Sequence, residues 1–252
     1  MLIGILFFIT VIFPVLFWFR FFSWHDRAEP EPKRLLITTF LLGIGVAVFA
    51  TAVEITIFSV FLPEQYKTTL QVNVEESVSV ISFGVVLSYF LPGVIEEILK
   101  FLALKEFVYS KTDFNQIADG VFYAVTIALG FSFLENSLYF YQLYSNFSTN
   151  VFIVTSVMRG IATMLLHVTA SGIVGYAAGK MKFSKEHSKA TVLRFLLLAI
   201  FIHGLFNIFL LFQSGALLAL LLALISFLYL LYLLNKPETK LVWKLIAPQK
   251  NF

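Results

Sequence analysis

Long apolar runs separated by short polar segments are the main pattern of this chain. A helix needs about 20 apolar residues to cross a bilayer, and seven runs reach or approach that length. They cover residues 2–22, 35–62, 77–108, 117–144, 151–179, 194–213 and 215–234. The pattern predicts an all-α, polytopic membrane bundle of seven transmembrane helices, with an eighth span or a re-entrant segment left open.

Composition supports a single integral membrane domain over residues 1–252. Hydrophobic residues make up 59% of the chain and charged residues only 13%, against about 25% charged in soluble domains. The absence of cysteine excludes disulfides, thiolate metal sites and thiol nucleophiles. We expect membrane lipid around most of the chain and no nucleic-acid partner.

The positions of the basic residues predict the orientation. Lysine and arginine concentrate in the segments 20–34, 105–111, 180–194 and 236–250, whereas the alternate loops contain only Lys67. Because basic loops stay on the cytoplasmic side, seven spans place the N-terminus outside and the C-terminus inside. Residues 235–252 then form a cytosolic or interfacial tail.

Several polar residues remain within the predicted spans. Ionisable groups at such positions are costly in hydrocarbon, so they are candidates for function. Each can also serve packing, as a neutralised ion pair or a buried hydrogen bond. The set is Glu54, Glu96, Glu97, Lys100, Asp119, Glu135, Asn136, Arg159, His167, His203 and Asn207.

The segment LPGVIEEILKF contains two adjacent carboxylates, Glu96 and Glu97, followed by Lys100. Glu96 and Lys100 are four residues apart and share a helix face. Glu97 points about 100° away, so we expect it to have no charged partner within its own helix. A buried ion pair explains Glu96 and Lys100, whereas Glu97 favours a site in which one carboxylate activates water and the other orients it or binds a metal.

Three further helices each contribute polar groups. Glu135 and Tyr139 are four residues apart on one face, as are His203 and Asn207, and His167 lies in a stripe of small residues that permits close helix packing. Helix bundles build interior sites from facing helices in this way. We therefore expect a catalytic helix core over residues 77–213, and the absence of an HExxH motif excludes a zincin-type site.

Four motifs in this core resemble the PrsW family of bacterial intramembrane proteases in order and spacing, across about residues 85–212. The lysine of the first motif and the glutamate of the second favour this family over the related group of CAAX prenyl endopeptidases and bacteriocin-immunity proteins. The motifs are EEILK (Glu96, Glu97, Lys100), GFSFLENSLY (Glu135, Asn136, Tyr139), the segment from Arg159 through His167 to Gly175, and HGLFN (His203, Asn207).

The resemblance implies hydrolysis of a peptide bond in a membrane-anchored substrate within the bacterial cytoplasmic membrane. The implied substrate is an anti-sigma factor that is cut at its first site during a stress response. A CAAX-type endopeptidase, a non-catalytic scaffold or immunity protein with the same fold, and a proton-coupled transporter are the alternatives.

The predicted mechanism uses one of the two adjacent glutamates as the base that deprotonates water, with Glu96 preferred. A metal-free site and a site with one divalent metal such as zinc need the same residue types. The predicted catalytic residues are Glu96, Glu97, Glu135, His167, His203 and Asn207, the candidate metal ligands are Glu135, His167 and His203, and the supporting residues are Lys100, Asp119, Tyr139 and Arg159.

Overall fold

The computed structural model describes residues 2–25, 30–61, 83–183, 189–212 and 214–240, and within these ranges it contains only helices and turns. Three π-helical segments interrupt or extend the α-helices: Phe8–Ile12, Leu104–Val108 and Arg159–Thr163. The α-helices are α1 Leu2–Phe7, α2 Phe13–His25, α3 Lys33–Phe61, α4 Phe83–Ala103, α5 Ile117–Asn146, α6 Thr149–Met158, α7 Met164–Phe183, α8 Lys189–Phe209, α9 Gly215–Leu234 and α10 Pro237–Lys240.

The helices agree with the predicted spans, and six continuous helical stretches are long and apolar enough to cross a membrane. The six are Leu2–Trp24, Lys33–Val60, Ile117–Asn146, Thr149–Phe183, Lys189–Phe209 and Gly215–Leu234. The remaining predicted span, 77–108, corresponds to α4 and its π segment, and α4 differs from the six in its three closely spaced charges. The protein is thus an all-helical, multi-pass membrane protein.

Some predictions fall outside the described residues. They concern the loop 63–76, residues 77–82 of the third span, residues 184–188 of the basic loop and the tail after residue 240. The number of crossings and the N-out, C-in orientation remain predictions.

Helix α5 is the central element, and close glycine contacts hold its neighbours against it. A Cβ atom on Gly175 of α7 would collide with the carbonyl oxygen of Gly120 and would lie 2.6 Å from the Cβ atom of Ala124. Elsewhere on α5, a Cβ atom on Gly130 would collide with the carbonyl oxygen of Phe40 in α3. The predicted small-residue stripe on α7 is therefore confirmed as a packing surface.

The contact between α4 and α8 also depends on glycine. Helix α4 continues through Pro92, and a Cβ atom on Gly93 would lie only 2.8 Å from the backbone nitrogen of Gly204 and 3.2 Å from the Cβ atom of His203. The two helices approach closely for this reason. As a result, the turn of α4 after Gly93, which carries both adjacent glutamates, lies beside His203.

Lys182 fixes the loop between α4 and α5 to the end of α7. Its ammonium group donates hydrogen bonds to the carbonyl oxygens of Tyr109 and Phe114, both at 2.6 Å, and lies 4.5 Å from the centre of the Phe114 ring. Backbone carbonyls in a loop need partners once they are buried. Lys182 supplies them and holds the ends of three helices together.

Candidate active site

Glu96, Glu97 and Lys100 form one buried ion network on α4. The Lys100 Nζ atom lies 3.2 Å from Glu96 Oε2 and 2.9 Å from Glu97 Oε1. The expectation that Glu97 lacks a charged partner in its own helix is therefore wrong. Residues three apart are also neighbours on a helix surface, and the long lysine side chain reaches both carboxylates.

Glu97 is the most fully bonded carboxylate of the group. Besides the ammonium group of Lys100, it accepts a hydrogen bond from Ser171 Oγ of α7 at 3.1 Å. Its Oε1 atom also lies 2.9 Å from Nδ1 of His203 on α8. Because an ionised carboxylate only accepts, Nδ1 of His203 carries the hydrogen, and Nε2 of the neutral ring keeps its lone pair.

His167 is held by a different carboxylate, and the same argument assigns its tautomer. Its Nδ1 atom lies 2.8 Å from the ammonium group of Lys100, which can only donate, so Nδ1 is the acceptor. Its Nε2 atom lies 2.9 Å from Glu135 Oε2 and donates to it. Each histidine therefore has one nitrogen fixed by a carboxylate and a lone pair on the other nitrogen, which in His167 accepts from Lys100.

These lone pairs converge on Glu96. Nδ1 of His167 and Nε2 of His203 both lie 3.8 Å from Oε2 of Glu96, and the two imidazole rings are 4.9 Å apart, centre to centre. All of these side chains are buried; for example, His167 is 0% exposed. We call Glu96, Glu97, Lys100, His167 and His203 the Glu–His cluster.

Arg159 extends the Glu–His cluster toward α6. Its guanidinium group forms an ion pair with Glu135 at 2.9 Å, donates from Nε to Asn136 Oδ1 at 3.2 Å and lies 3.5 Å from the centre of the Tyr139 ring. The predicted shared face of Glu135 and Tyr139 is confirmed by this common partner. Arg159 thus keeps Glu135 in the position from which it orients His167.

Two predicted residues are not part of this network. Asp119 lies about 24 Å along α5 from Glu135, at 1.5 Å per residue, and it accepts the backbone N–H groups of Asn115 and Gln116 at 2.7 and 2.6 Å. Asp119 is therefore a helix cap, which places it outside the predicted supporting set. Asn207 lies one turn beyond His203 and is half-buried; within the described residues its side chain has no hydrogen bond.

Glu54 of α3 is a further carboxylate near the cluster. It interacts electrostatically with Glu135 and Lys100, and in the described part of the chain its buried Oε1 atom has no hydrogen-bond partner. If Glu54, Glu96, Glu97 and Glu135 are all ionised, Lys100 and Arg159 are the lysine and arginine that face these four carboxylates within the described residues. The excess of two negative charges equals the charge of one divalent cation.

Ser171 and Phe131 also contact the Glu–His cluster, although the sequence pattern assigns no role to either residue. Ser171 binds Glu97, and the ring of Phe131 lies 4.0 Å from the ammonium group of Lys100 and 5.3 Å from the His167 ring. The sequence does contain a signal for each. Ser171 lies four residues after His167 on the same face, and Phe131 lies four residues before Glu135.

A buried glutamate–histidine cluster within a bundle of membrane-spanning helices defines the class of intramembrane hydrolases. The family model described as "PrsW family intramembrane metalloprotease" matches residues 31–234. The chain therefore belongs to this family and is a peptidase.

Similarity to curated proteins supports this membership. The chain is 28% identical over 211 residues to Protease PrsW of Clostridioides difficile, covering 82% of this chain and 79% of that protein. It is 28% identical over 191 residues to Protease PrsW of Bacillus subtilis, covering 75% and 76%. For Protease PrsW of Geobacillus kaustophilus the identity is 25% over 191 residues, covering 76% and 73%. No solved structure matches the chain.

The family description implies a metal, and the residues present fit one. Glu96, Glu97, His167 and His203 each offer a ligand atom, and these atoms lie within 4.8 Å of one another. Two imidazoles with a carboxylate are a common set for a catalytic divalent metal. A carboxylate on the remote nitrogen of each histidine is the usual arrangement around such ligands.

Proposed function

We propose that peptide-bond hydrolysis takes place between Glu96, His167 and His203. The observation that carries this proposal is the convergence of the two imidazole nitrogens that carry lone pairs on one oxygen of Glu96. Glu96 takes the proton of the attacking water, because within the described residues its Oε1 atom accepts no hydrogen bond. Glu97 has a holding role, since its oxygens are already occupied by Lys100, His203 and Ser171.

We assign the metal to Nδ1 of His167, Nε2 of His203 and Oε2 of Glu96, so that Oε1 of Glu96 remains to take the proton. A divalent cation such as zinc, when bound, supplies Lewis-acid polarisation of the peptide carbonyl and of water at neutral pH. Glu135, a predicted ligand, instead has the role of orienting His167, because it lies against the remote nitrogen. The ammonium group of Lys100 lies 2.8 Å from Nδ1 of His167, so it has to leave this position when a cation enters.

Other residues serve the transition state. The amide of Asn207 lies one turn from His203 and can donate to the oxyanion that forms on the peptide carbonyl. Arg159 and Glu135 keep the His167 ring fixed while the proton moves. Two cavities, each with space for about one water-sized sphere, lie beside these groups, and one of them is lined by Glu97, Lys100 and Ser171.

The proposed substrate is a membrane-anchored protein, and the resemblance favours an anti-sigma factor. The bacterial relatives support the bacterial cytoplasmic membrane as the location. The side chains of Glu135 and Tyr139 are partly exposed, which favours this side of the bundle as the direction of substrate approach.

The test is cleavage by the purified protein in proteoliposomes that contain doubly tagged, single-pass membrane proteins of the host, including its anti-sigma factors. Glu96→Gln and His203→Ala should insert into the membrane but lose cleavage; His203→Ala should also melt below the wild type, because it removes a hydrogen bond to buried Glu97. Glu106→Gln is the matched control, because Glu106 is exposed. Full turnover by His203→Ala would remove His203 from the catalytic set, and cleavage only of prenylated substrates would favour the CAAX-type alternative.

Metal analysis of the same preparations tests the ligand assignment. The wild type should retain about one divalent ion per chain, and His203→Ala should lose it. Asp119→Asn changes a carboxylate that caps a helix, so it should keep the ion. Equal metal content in wild type and His203→Ala would contradict the assignment.

The proposed N-out orientation is testable because the chain has no cysteine. Thr112→Cys should be protected from a membrane-impermeant maleimide in intact cells, and Ser148→Cys should react. Both positions are exposed in the structure, so a reversed result contradicts the orientation itself.

A further inference from the structure

A second group of buried polar atoms lies beside the proposed active site, between α5, α6 and the π segment Phe8–Ile12. It surrounds a cavity with about 10 Å³ of space for a water-sized sphere, lined by Thr10, Asn136, Ser156 and Arg159 together with apolar residues that include Phe140. That volume is close to the minimum for one water molecule. We call it the Asn136 cavity.

Two of the polar atoms at this cavity have no partner within the described residues: Nδ2 of Asn136 and Oγ of Ser156, both of them buried. The Nη2 atom of Arg159 is also buried; it is ion-paired with Glu135 at 2.9 Å and has a second N–H to donate. Asn136 and Ser156 are 3% and 4% exposed. Buried polar groups are normally bonded to protein or to ordered water, so two unpartnered atoms around one space indicate a site for a small polar ligand.

The donors and acceptors around the cavity match the bonding capacity of one water molecule. Asn136 and Arg159 can only donate from these nitrogens, and water accepts two hydrogen bonds. Thr10 uses its hydroxyl hydrogen on Leu6 O at 2.8 Å and keeps lone pairs that accept, as does the hydroxyl oxygen of Ser156. A water molecule can therefore accept from Asn136 and Arg159 and donate to Ser156 and Thr10.

The backbone around the cavity is close-packed, so the space is bounded on several sides. A Cβ atom on Gly160 would lie 2.5 Å from the carbonyl oxygen of Thr10, because the π segments Phe8–Ile12 and Arg159–Thr163 are in contact. Phe140 and Phe152 pack edge-to-face beside it, with ring centres 4.9 Å apart. The polar lining of the cavity includes Arg159, the residue that forms the ion pair with Glu135.

We propose that the Asn136 cavity is a hydration site whose water positions Arg159 for the proteolytic reaction. The water completes the bonding of the guanidinium group, which is otherwise fixed by Asn136 on one side and by Glu135 on the other. Through Arg159, the site controls the carboxylate that orients His167. The kinetic consequence rests on the proposed function, whereas the presence of water does not.

X-ray hydroxyl-radical labelling of the full-length protein in nanodiscs tests the site directly, because radicals form from bound water next to a side chain. Phe140 lines the cavity and is 7% exposed, whereas Phe152 is 6% exposed and does not line it. Phe140 should be labelled several-fold more than Phe152. Equal labelling of the two rings would overturn the proposal.

Substitutions at Ser156 separate the water from the side chain. Ser156→Val fills the cavity and should abolish the labelling of Phe140, whereas Ser156→Ala leaves room for the water and should keep it. Ser226→Val is the matched control, because Ser226 is equally buried and donates to its own helix at Leu222 O. Thr10→Val, which removes one acceptor without filling the space, is a milder second variant and should reduce the labelling partially.

Cleavage kinetics test the positioning role. Ser156→Val should lower kcat about tenfold, the effect of losing one hydrogen bond of about 1.4 kcal/mol, with KM within about twofold. Ser156→Ala and Ser226→Val should stay close to wild type. If Ser156→Val loses the labelling of Phe140 but keeps the wild-type kcat, the positioning role is overturned. If the wild type is labelled at Phe140 but does not cleave substrate, only the proposed function is contradicted.

Discussion

Two groups of polar side chains are buried in this bundle, and they differ in how their hydrogen bonds are completed. In the Glu–His cluster the partners are other side chains; for example, Glu97 contacts three of them, Lys100, His203 and Ser171. In the Asn136 cavity Nδ2 of Asn136 and Oγ of Ser156 have no partner within the described residues. Charged groups that satisfy one another form a rigid but fragile network, whereas a cavity completed by solvent tolerates small changes.

The largest expected effect comes from breaking the Glu–His cluster. Glu97→Ala leaves His203 without its carboxylate and Lys100 with Glu96 alone in a buried site, and removing one partner of a buried ion network costs about 3–5 kcal/mol. The midpoint of thermal unfolding in detergent should fall accordingly. Glu106→Ala is the control: the exposed pair of Glu106 with Lys105, at 4.0 Å, should contribute less than about 1 kcal/mol. Equal shifts for the two variants would show that the cluster is not a cooperative network.

The second prediction sharpens the contrast by exchanging one cation for another. Lys100→Met leaves Glu96 and Glu97 facing each other without an ammonium group, so the variant should melt below the wild type in a chelator. Zinc at 100 times its dissociation constant for Lys100→Met should then restore about 2.7 kcal/mol. At the same zinc concentration the wild type should gain less, because its lysine competes for the same space. Lys105→Met, at an exposed position, should show neither change. An identical zinc response in all three proteins would contradict the shared position of lysine and metal.

The smallest expected effects come from removing one serine hydroxyl from each of the two polar groups. Ser171→Ala removes a hydrogen bond to a buried carboxylate and should cost about 1.5–3 kcal/mol, as for bonds to charged groups. Ser156→Ala should change the unfolding free energy by less than about 0.5 kcal/mol, because the Ser156 hydroxyl has no protein partner within the described residues and the water keeps its other partners. Thermal unfolding of both variants in the same detergent measures the difference. A larger loss for Ser156→Ala would reverse the comparison.

Much of this organisation could be predicted from sequence, because long apolar runs and helical spacing are local properties. The helices appear close to the predicted ranges, and Glu96, Glu135, His167 and His203 do meet in space. The pairing within the site was harder to predict. Four-residue spacing alone predicts no charged partner for Glu97 in its own helix, whereas Lys100, three residues away, reaches it.

The remaining differences depend on three-dimensional details that a pattern does not contain. Asp119 caps α5 because the chain turns at residues 115 and 116 to present two backbone N–H groups. Glu135 contacts the remote nitrogen of His167, and nothing in residue spacing distinguishes one ring nitrogen from the other. The Asn136 cavity lies between residues of separate helical segments, so no single stretch of sequence indicates it.

The π segment Arg159–Thr163 has a consequence for inheritance. A π turn contains one residue more than an α turn, so everything after it, including His167 and the glycine face of α7, is rotated by about 100° relative to an uninterrupted helix. Deleting one residue from this stretch would turn the histidine away from Glu96 and the glycines away from α5 in a single mutation. Descendants of this gene that shorten the segment between Arg159 and His167 would therefore lose the site and the helix packing together.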